Sequence, residues 1–369
     1  MKNNLIYFLL IFCPISNLFD LVFPLTILGY SFWNTFLIIF IIHLLIFFSN
    51  INKNDYIILF CFCFLYLIIS LFRMYFFEEN FSRIFSNWWY LYISLLFLIV
   101  IKNSSPSKIF FSNILLGQIL FLGLIGSLFL FGLPTIEIQS ANTKEFFSDS
   151  FHRYEGIYSG SNVYSSILVT YFIMFFSIEK KKLIYWLILT PIVLFAIIAS
   201  ASRLPIILFL LFISYSFYKK IRYLIIPLLL YSIYLLRDLL VMDIDFRLFT
   251  TGLDDQSRIE KTILFLNLFK SNFFEVLTFG IPSYLLYKDN IVISDNSFTL
   301  IILNSGLFLF IFWIFSIKTI SSNFFKLFYE NKIFFISVLL IFSLNNAILY
   351  LPWVLYVLFY IHHKILFKT

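Results

Sequence analysis

Charge is what this chain has least of. Aspartate, glutamate, lysine and arginine make up 12% of its 369 residues, about half of the roughly 25% usual in a soluble domain. Histidine occurs four times, at His43, His152, His362 and His363. No His/Cys/Asp cluster has zinc-ligand spacing, and there is neither a glycine-rich phosphate loop nor a Gly-x-Ser-x-Gly elbow. The three cysteines, Cys13, Cys61 and Cys63, all fall inside apolar runs. Cys61 and Cys63, two apart on a helix, point to nearly opposite faces, so neither a disulfide framework nor a shared metal is expected. No metal and no cofactor are expected, nor is nucleic acid as a partner.

Apolar side chains fill the space instead. They account for 62% of the residues, with a mean hydropathy of +0.97. They cluster in runs long enough to span the hydrocarbon of a bilayer, which takes about 20 helical residues. The expected fold class is therefore all-α, a polytopic integral membrane protein. The expected spans are 5–23, 32–48, 56–72, 84–101, 109–133, 157–178, 183–199, 204–217, 223–236, 296–317, 333–346 and 348–362. The first reads as a span rather than a signal peptide, because no small-residue cleavage site follows it. No repeat or linker divides the chain, so residues 1–369 are expected to form a single transmembrane domain. With 53 phenylalanines and 23 tyrosines, no single ring is informative, although Trp88, Trp89 and Trp353 sit where interfacial rings belong.

Lysine orients these spans. Lys180-Lys181-Lys182, Lys219-Lys220, Lys318/Lys326/Lys332 and Lys364/Lys368 fall on one side, and Lys2, Lys53, Lys102 and Lys108 join them. The positive-inside bias makes that side, and both termini, cytoplasmic. His362 and His363 then belong to a cytoplasmic tail. The inner loops are too short to fold, which excludes a nucleotide-driven cytoplasmic activity. Two long polar segments fall outside, at about 134–160 and 237–295. A structureless loop as long as the second is unusual in a compact protein. Within it, Ser257-Arg258-Ile259-Glu260 fits a capping box. Ile259, Ile263, Leu266, Phe269 and Phe273 follow at helical spacing, which predicts an amphipathic helix on the outer interface or packed on the outer loops.

Seven of the eight arginines face outwards in this topology: Arg73, Arg83, Arg153, Arg203, Arg237, Arg247 and Arg258. An arginine grips phosphate or carboxylate with two parallel hydrogen bonds, so such a cluster suggests an anionic head group or a lipid-linked diphosphate. Local pairing is the alternative. Arg237 adjoins Asp238, Arg247 follows Asp243 and Asp245, and Arg73 and Arg83 flank Glu78-Glu79. Arg203 is different. It follows Ser202, a candidate N-cap, and precedes Pro205, which a first helical turn tolerates. A cation there opposes the helix dipole unless an anion is present.

Four places then read together: His152-Arg153-Tyr154-Glu155-Gly156 with Ser161-Asn162; Ser200-Ala201-Ser202-Arg203; Ser257-Arg258 with Phe279-Gly280-Ile281-Pro282; and Ser294-Asp295-Asn296-Ser297-Phe298 with Asn304-Ser305-Gly306-Leu307. Their order resembles the O-antigen ligase/polymerase superfamily over about residues 150–315. Ser161 stands where that family usually has proline, and Asn304 where it often has Glu. Its ligases tend to carry a histidine just before the final Asn; here that place is Asp295. The chain therefore looks more like a Wzy-type O-antigen polymerase than a ligase. The resemblance implies a glycosyltransferase acting on a polyisoprenyl diphosphate-linked oligosaccharide, with a chain-length regulator as a membrane partner. It implies catalytic roles for Arg203, Arg153, Arg258 and Asp295, and substrate contacts for Glu155, Asn162 and Asn296. Asp295 is either the base for the attacking hydroxyl or the N-cap of the tenth span. A flippase for the same lipid would place basic residues within its spans, which here carry almost none.

Overall fold

The computed structural model describes residues 2–22, 26–27, 30–48, 51–78, 89–102, 104, 107–135, 154, 156–158, 160–178, 182–200, 202–221, 263, 266–281, 297–321, 331–344 and 351–363. These residues are helical apart from turns and one antiparallel pairing of Thr26–Ile27 with Tyr30–Ser31. The helices are α1 (Lys2–Val22), α2 (Phe32–Phe48), α3 (Lys53–Phe77), α4 (Trp89–Lys102), α5 (Lys108–Leu130), α6 (Ser161–Ile178) and α7 (Leu183–Ala199). After them come α8 (Arg203–Ile221), α9 (Phe273–Thr278), α10 (Ser297–Ser305), α11 (Leu307–Ile320), α12 (Lys332–Leu344) and α13 (Leu351–His363). Among the described residues, α3, α5 and α6 are long and apolar enough to cross a membrane, and several shorter apolar helices accompany them. The expected span 223–236 and the capping box at 257–260 lie outside the described residues.

The chain forms two compact units. Met1–Ser107, Asp255–Lys332 and Phe342–Thr369 make the first, and Lys108–Asp254 with Ile333–Ile341 the second. In the first unit α4 is buried almost throughout, from Leu91 to Ile101. Trp313 of α11 donates its indole N–H to Ser94 Oγ at 2.9 Å, and the Tyr356 hydroxyl of α13 donates to the Leu10 carbonyl of α1 at 2.7 Å. Trp353 is 2% exposed, so it is a core residue here and not an interfacial ring. One flank of α3 instead presents Phe60, Phe64, Leu67, Leu71 and Tyr75 outwards, the composition of a lipid-facing surface.

One end of this unit carries a polar knot. The Lys102 ammonium pairs with Asp55 at 2.9 Å, and Asp55 is 2% exposed. His362 Nε2 lies 3.2 Å from the Lys102 carbonyl, and its Nδ1 lies 3.1 Å from Ser321 Oγ. His363 Nε2 lies 3.1 Å from Ser104 Oγ. Both histidines are buried in the last turn of α13, which corrects the expectation that they belong to a tail. The knot gathers the start of α3 and the ends of α4, α11 and α13, and Lys53, Lys102 and Lys318 occur at the first three of these helix ends.

The second unit packs by close approach. A Cβ at Gly123 of α5 would lie 2.7 Å from Ile192 Cγ2 of α7, and one at Gly126 would lie 2.9 Å from Ala196 Cβ. Such small residues let helix backbones come together where no water drives them. Ser127 Oγ bridges the pair, donating to Gly123 O at 2.7 Å and lying 3.0 Å from Ile192 O. The Tyr164 hydroxyl of α6 donates to the Leu122 carbonyl at 2.6 Å. Nearly all of α6 is buried.

Candidate functional site

In the second unit the structure joins the segment around Arg153, the start of α6 and the turn before Arg203. Helix α7 ends at Ala199 with carbonyls that lack intrahelical donors. Tyr154 N–H donates to the Ala199 carbonyl at 3.1 Å. Ser200 closes the same end, its hydroxyl donating to Ile197 O at 2.7 Å. Tyr154 is 1% exposed, its ring 4.9 Å from those of Phe129 and Tyr164. Gly156 follows with φ +63°, and a Cβ there would lie 3.1 Å from the Tyr164 ring carbon Cγ. Only glycine suits both demands. Gly160 O accepts from Val163 N at 3.1 Å and Tyr164 N at 2.9 Å, which opens α6.

Ser202 completes the junction. Its hydroxyl, 2% exposed with the residue, donates to Asn162 Oδ1 at 2.6 Å. Arg203 is the next residue and opens α8, with Pro205 in its first turn, as the Ser-Arg-Leu-Pro pattern predicts. Asn162 therefore fixes the start of α8 against the start of α6. Of the expected site residues, Asn162 and the backbone of Arg203 are placed together here. Arg153, Glu155, Arg258, Asp295 and Asn296 lie outside the described residues.

A second junction forms within the first unit. The expected continuous span 296–317 is broken: α10 ends at Ser305, Gly306 takes φ +81°, and α11 starts at Leu307. Three consecutive carbonyls leading into the break have donors, the first of them still helical. Ile302 O accepts from Gly306 N at 2.8 Å, and Leu303 O accepts from Ile281 N at 2.6 Å. Asn304 O accepts from Arg73 Nη1. Arg73 Nη2 also donates to Ile281 O at 3.0 Å, and the residue is fully buried. Glu78 lies exposed in the left-handed cap of α3. The Phe279-Gly280-Ile281 and Asn304-Ser305-Gly306 motifs thus meet, with Val276, Ile281 and Leu303 forming a small core beneath them. Asn304 is 2% exposed, and its Oδ1 is buried with no donor among the described residues.

The helix expected within residues 237–295 is seen in part. Residues 266–271 are helical and α9 follows. Phe269 packs on the Val276/Ile281/Leu303 core, while Ile263, Leu266 and Phe273 are each about half exposed. Sequence reasoning missed Arg73 and the break. The signal available was Asn-Ser-Gly inside an apolar run, since glycine after a helical residue is a common stop. Compared with protein-family models, curated proteins and solved structures, the chain matches none.

Proposed function

We propose that this chain polymerises lipid-linked oligosaccharide repeat units, of O-antigen or capsule, on the outer face of the bacterial inner membrane. It acts as a glycosyltransferase of about twelve transmembrane helices, with both termini cytoplasmic and a large outer loop. The sugar hydroxyl of the incoming unit attacks the anomeric carbon of the growing glycan. The bond from that carbon to the polyisoprenyl diphosphate breaks, and the diphosphate leaves with the electron pair. Arg203, Arg153 and Arg258 stabilise the charge that develops on it, without a metal. Asp295 takes the hydroxyl proton, and Glu155, Asn162 and Asn296 contact substrate. A chain-length regulator is a partner in the membrane.

What supports this reading most is the junction of the second unit. Hydrogen bonds from Tyr154 to Ala199 and from Ser202 to Asn162 bring two of the arginine-bearing motifs to one end of the same four helices. The test is the surface-polysaccharide profile of a strain lacking the chain. A single repeat on its acceptor is the expected result. Loss of all repeats would point to a flippase, and free polymer on carrier lipid to a ligase.

The topology is testable separately. Reporter fusions at Lys181, Lys220 and Lys326 should report cytoplasm, and fusions at Asn142 and Asp254 the outer side. A cytoplasmic signal from the 237–295 loop would remove the site from the compartment where lipid-linked donors are polymerised.

A further inference from the structure

Arg73 has no part in the chemistry proposed above, yet it lies at the meeting point of two motifs that do. It sits on α3, 18 residues beyond Asp55, which places it roughly 27 Å along the helix from the polar knot. At that opposite end its guanidinium donates to Asn304 O of α10 and, at 3.0 Å, to Ile281 O of the turn after α9. Non-helical backbone at membrane depth persists only where its polar groups are satisfied by protein. Gly306 N, Ile281 N and Arg73 satisfy the carbonyls of Ile302, Leu303 and Asn304, three consecutive residues leading into the break. Arginine suits this place because its planar fork reaches two carbonyls in fixed geometry.

We infer that Arg73 is a positioning residue that clamps the 278–281 turn to the broken helix and so fixes α10, the element that begins just after Asp295 and Asn296. Full burial keeps it from touching substrate in this arrangement. A nine-residue helix held at its penultimate residue, Asn304, carries that constraint to its first turn. The catalytic half of this inference rests on the glycan-transfer reading; the clamp does not.

The test uses the full chain in detergent, with Cys13, Cys61 and Cys63 replaced by alanine and Ser305→Cys as a reporter. Ser305 is 1% exposed. With Arg73 present, the reporter thiol should be protected from maleimide. Arg73→Met should label at least about tenfold faster, through opening of the junction, with Arg73→Lys between the two. Transfer assays on the same proteins should show kcat lowered by about tenfold or more, with KM for the lipid-linked donor within about twofold. Unchanged labelling in both variants overturns the clamp. Faster labelling with unchanged kcat, or a raised KM with kcat preserved, overturns the positioning role. If Arg73→Met fails to fold, Arg73→Lys decides: protected thiol and full transfer count against the inference. A parent chain that clamps but transfers no glycan overturns the glycan-transfer reading and the positioning role, leaving the labelling result to judge the clamp.

Discussion

Arg203→Lys should cut polymer formation roughly tenfold to a hundredfold while leaving the protein folded and inserted. Arg203 is the first residue of α8, where the free N–H groups of the first turn already make the surroundings electropositive. A cation there is unfavourable unless an anion arrives. The anion in the proposed reaction is the diphosphate of the carrier lipid. The start of α8 is held in place by the Ser202–Asn162 hydrogen bond, so lysine has no reason to unfold it. Lysine keeps the charge but loses the two-pronged contact. A charge-assisted hydrogen bond lost only in the transition state, worth about 1.5–3 kcal/mol, gives the stated loss. Polymer length and membrane level should be measured together for Arg203→Lys and Arg203→Ala. Normal polymer from the lysine variant would mean that charge alone matters, and normal polymer from both would take Arg203 out of the site.

Gly306→Ala should destabilise the chain by about 2–5 kcal/mol, the sum of a left-handed backbone and an overpacked contact. Gly306 has φ +81°, and a Cβ there would press on the Thr278 carbonyl, 2.6 Å from its carbon and 3.0 Å from Phe279 N. These are backbone atoms of the clamped turn, which no rotamer change can move aside. Gly280 mirrors the situation: at φ +79° its Cβ would lie 2.6 Å from the Asn304 carbonyl carbon and 2.7 Å from Ser305 N. Gly132 is the control. Its φ is +69° with no atom of the described residues within 4 Å of an added Cβ, so Gly132→Ala should cost only the backbone part, about 1–2 kcal/mol. Thermal denaturation of the purified variants in detergent gives the order. Equal melting temperatures for Gly306→Ala and Gly132→Ala would show that the two motifs do not interlock.

Much of the helical architecture was legible because the physics that sets it is local. An apolar run must satisfy its own backbone in lipid, which makes it a helix whatever follows. The turn at Ser200–Arg203 was legible for a similar reason, since serine and an early proline are the chemistry of a helix start. The break after Ser305 was not. The apolar run continues from Leu307 to Ile320 without a change in pattern, and a lone glycine is tolerated in membrane helices. Only the approach of Thr278 and Phe279 explains why the chain stops being helical there. Two acceptors of Arg73 were hidden for the same reason, being 208 and 231 residues away in sequence. His362 and His363 lie next to Lys364 in sequence, and only folding brings them to Lys102, Ser104 and Ser321.

That last arrangement bears on how the protein is made. The first unit draws on the opening 107 residues and on helix α13, which leaves the ribosome last among the described helices. Throughout synthesis of the intervening residues, α1 lacks the Tyr356 hydroxyl at Leu10 and α4 lacks the histidines that close over Lys102. The early helices must therefore wait in the membrane with polar groups unmet, the condition that insertion factors shield and membrane proteases survey. A chain arrested before α13 leaves the Leu10 and Lys102 carbonyls without the Tyr356 and His362 partners they have in the finished fold.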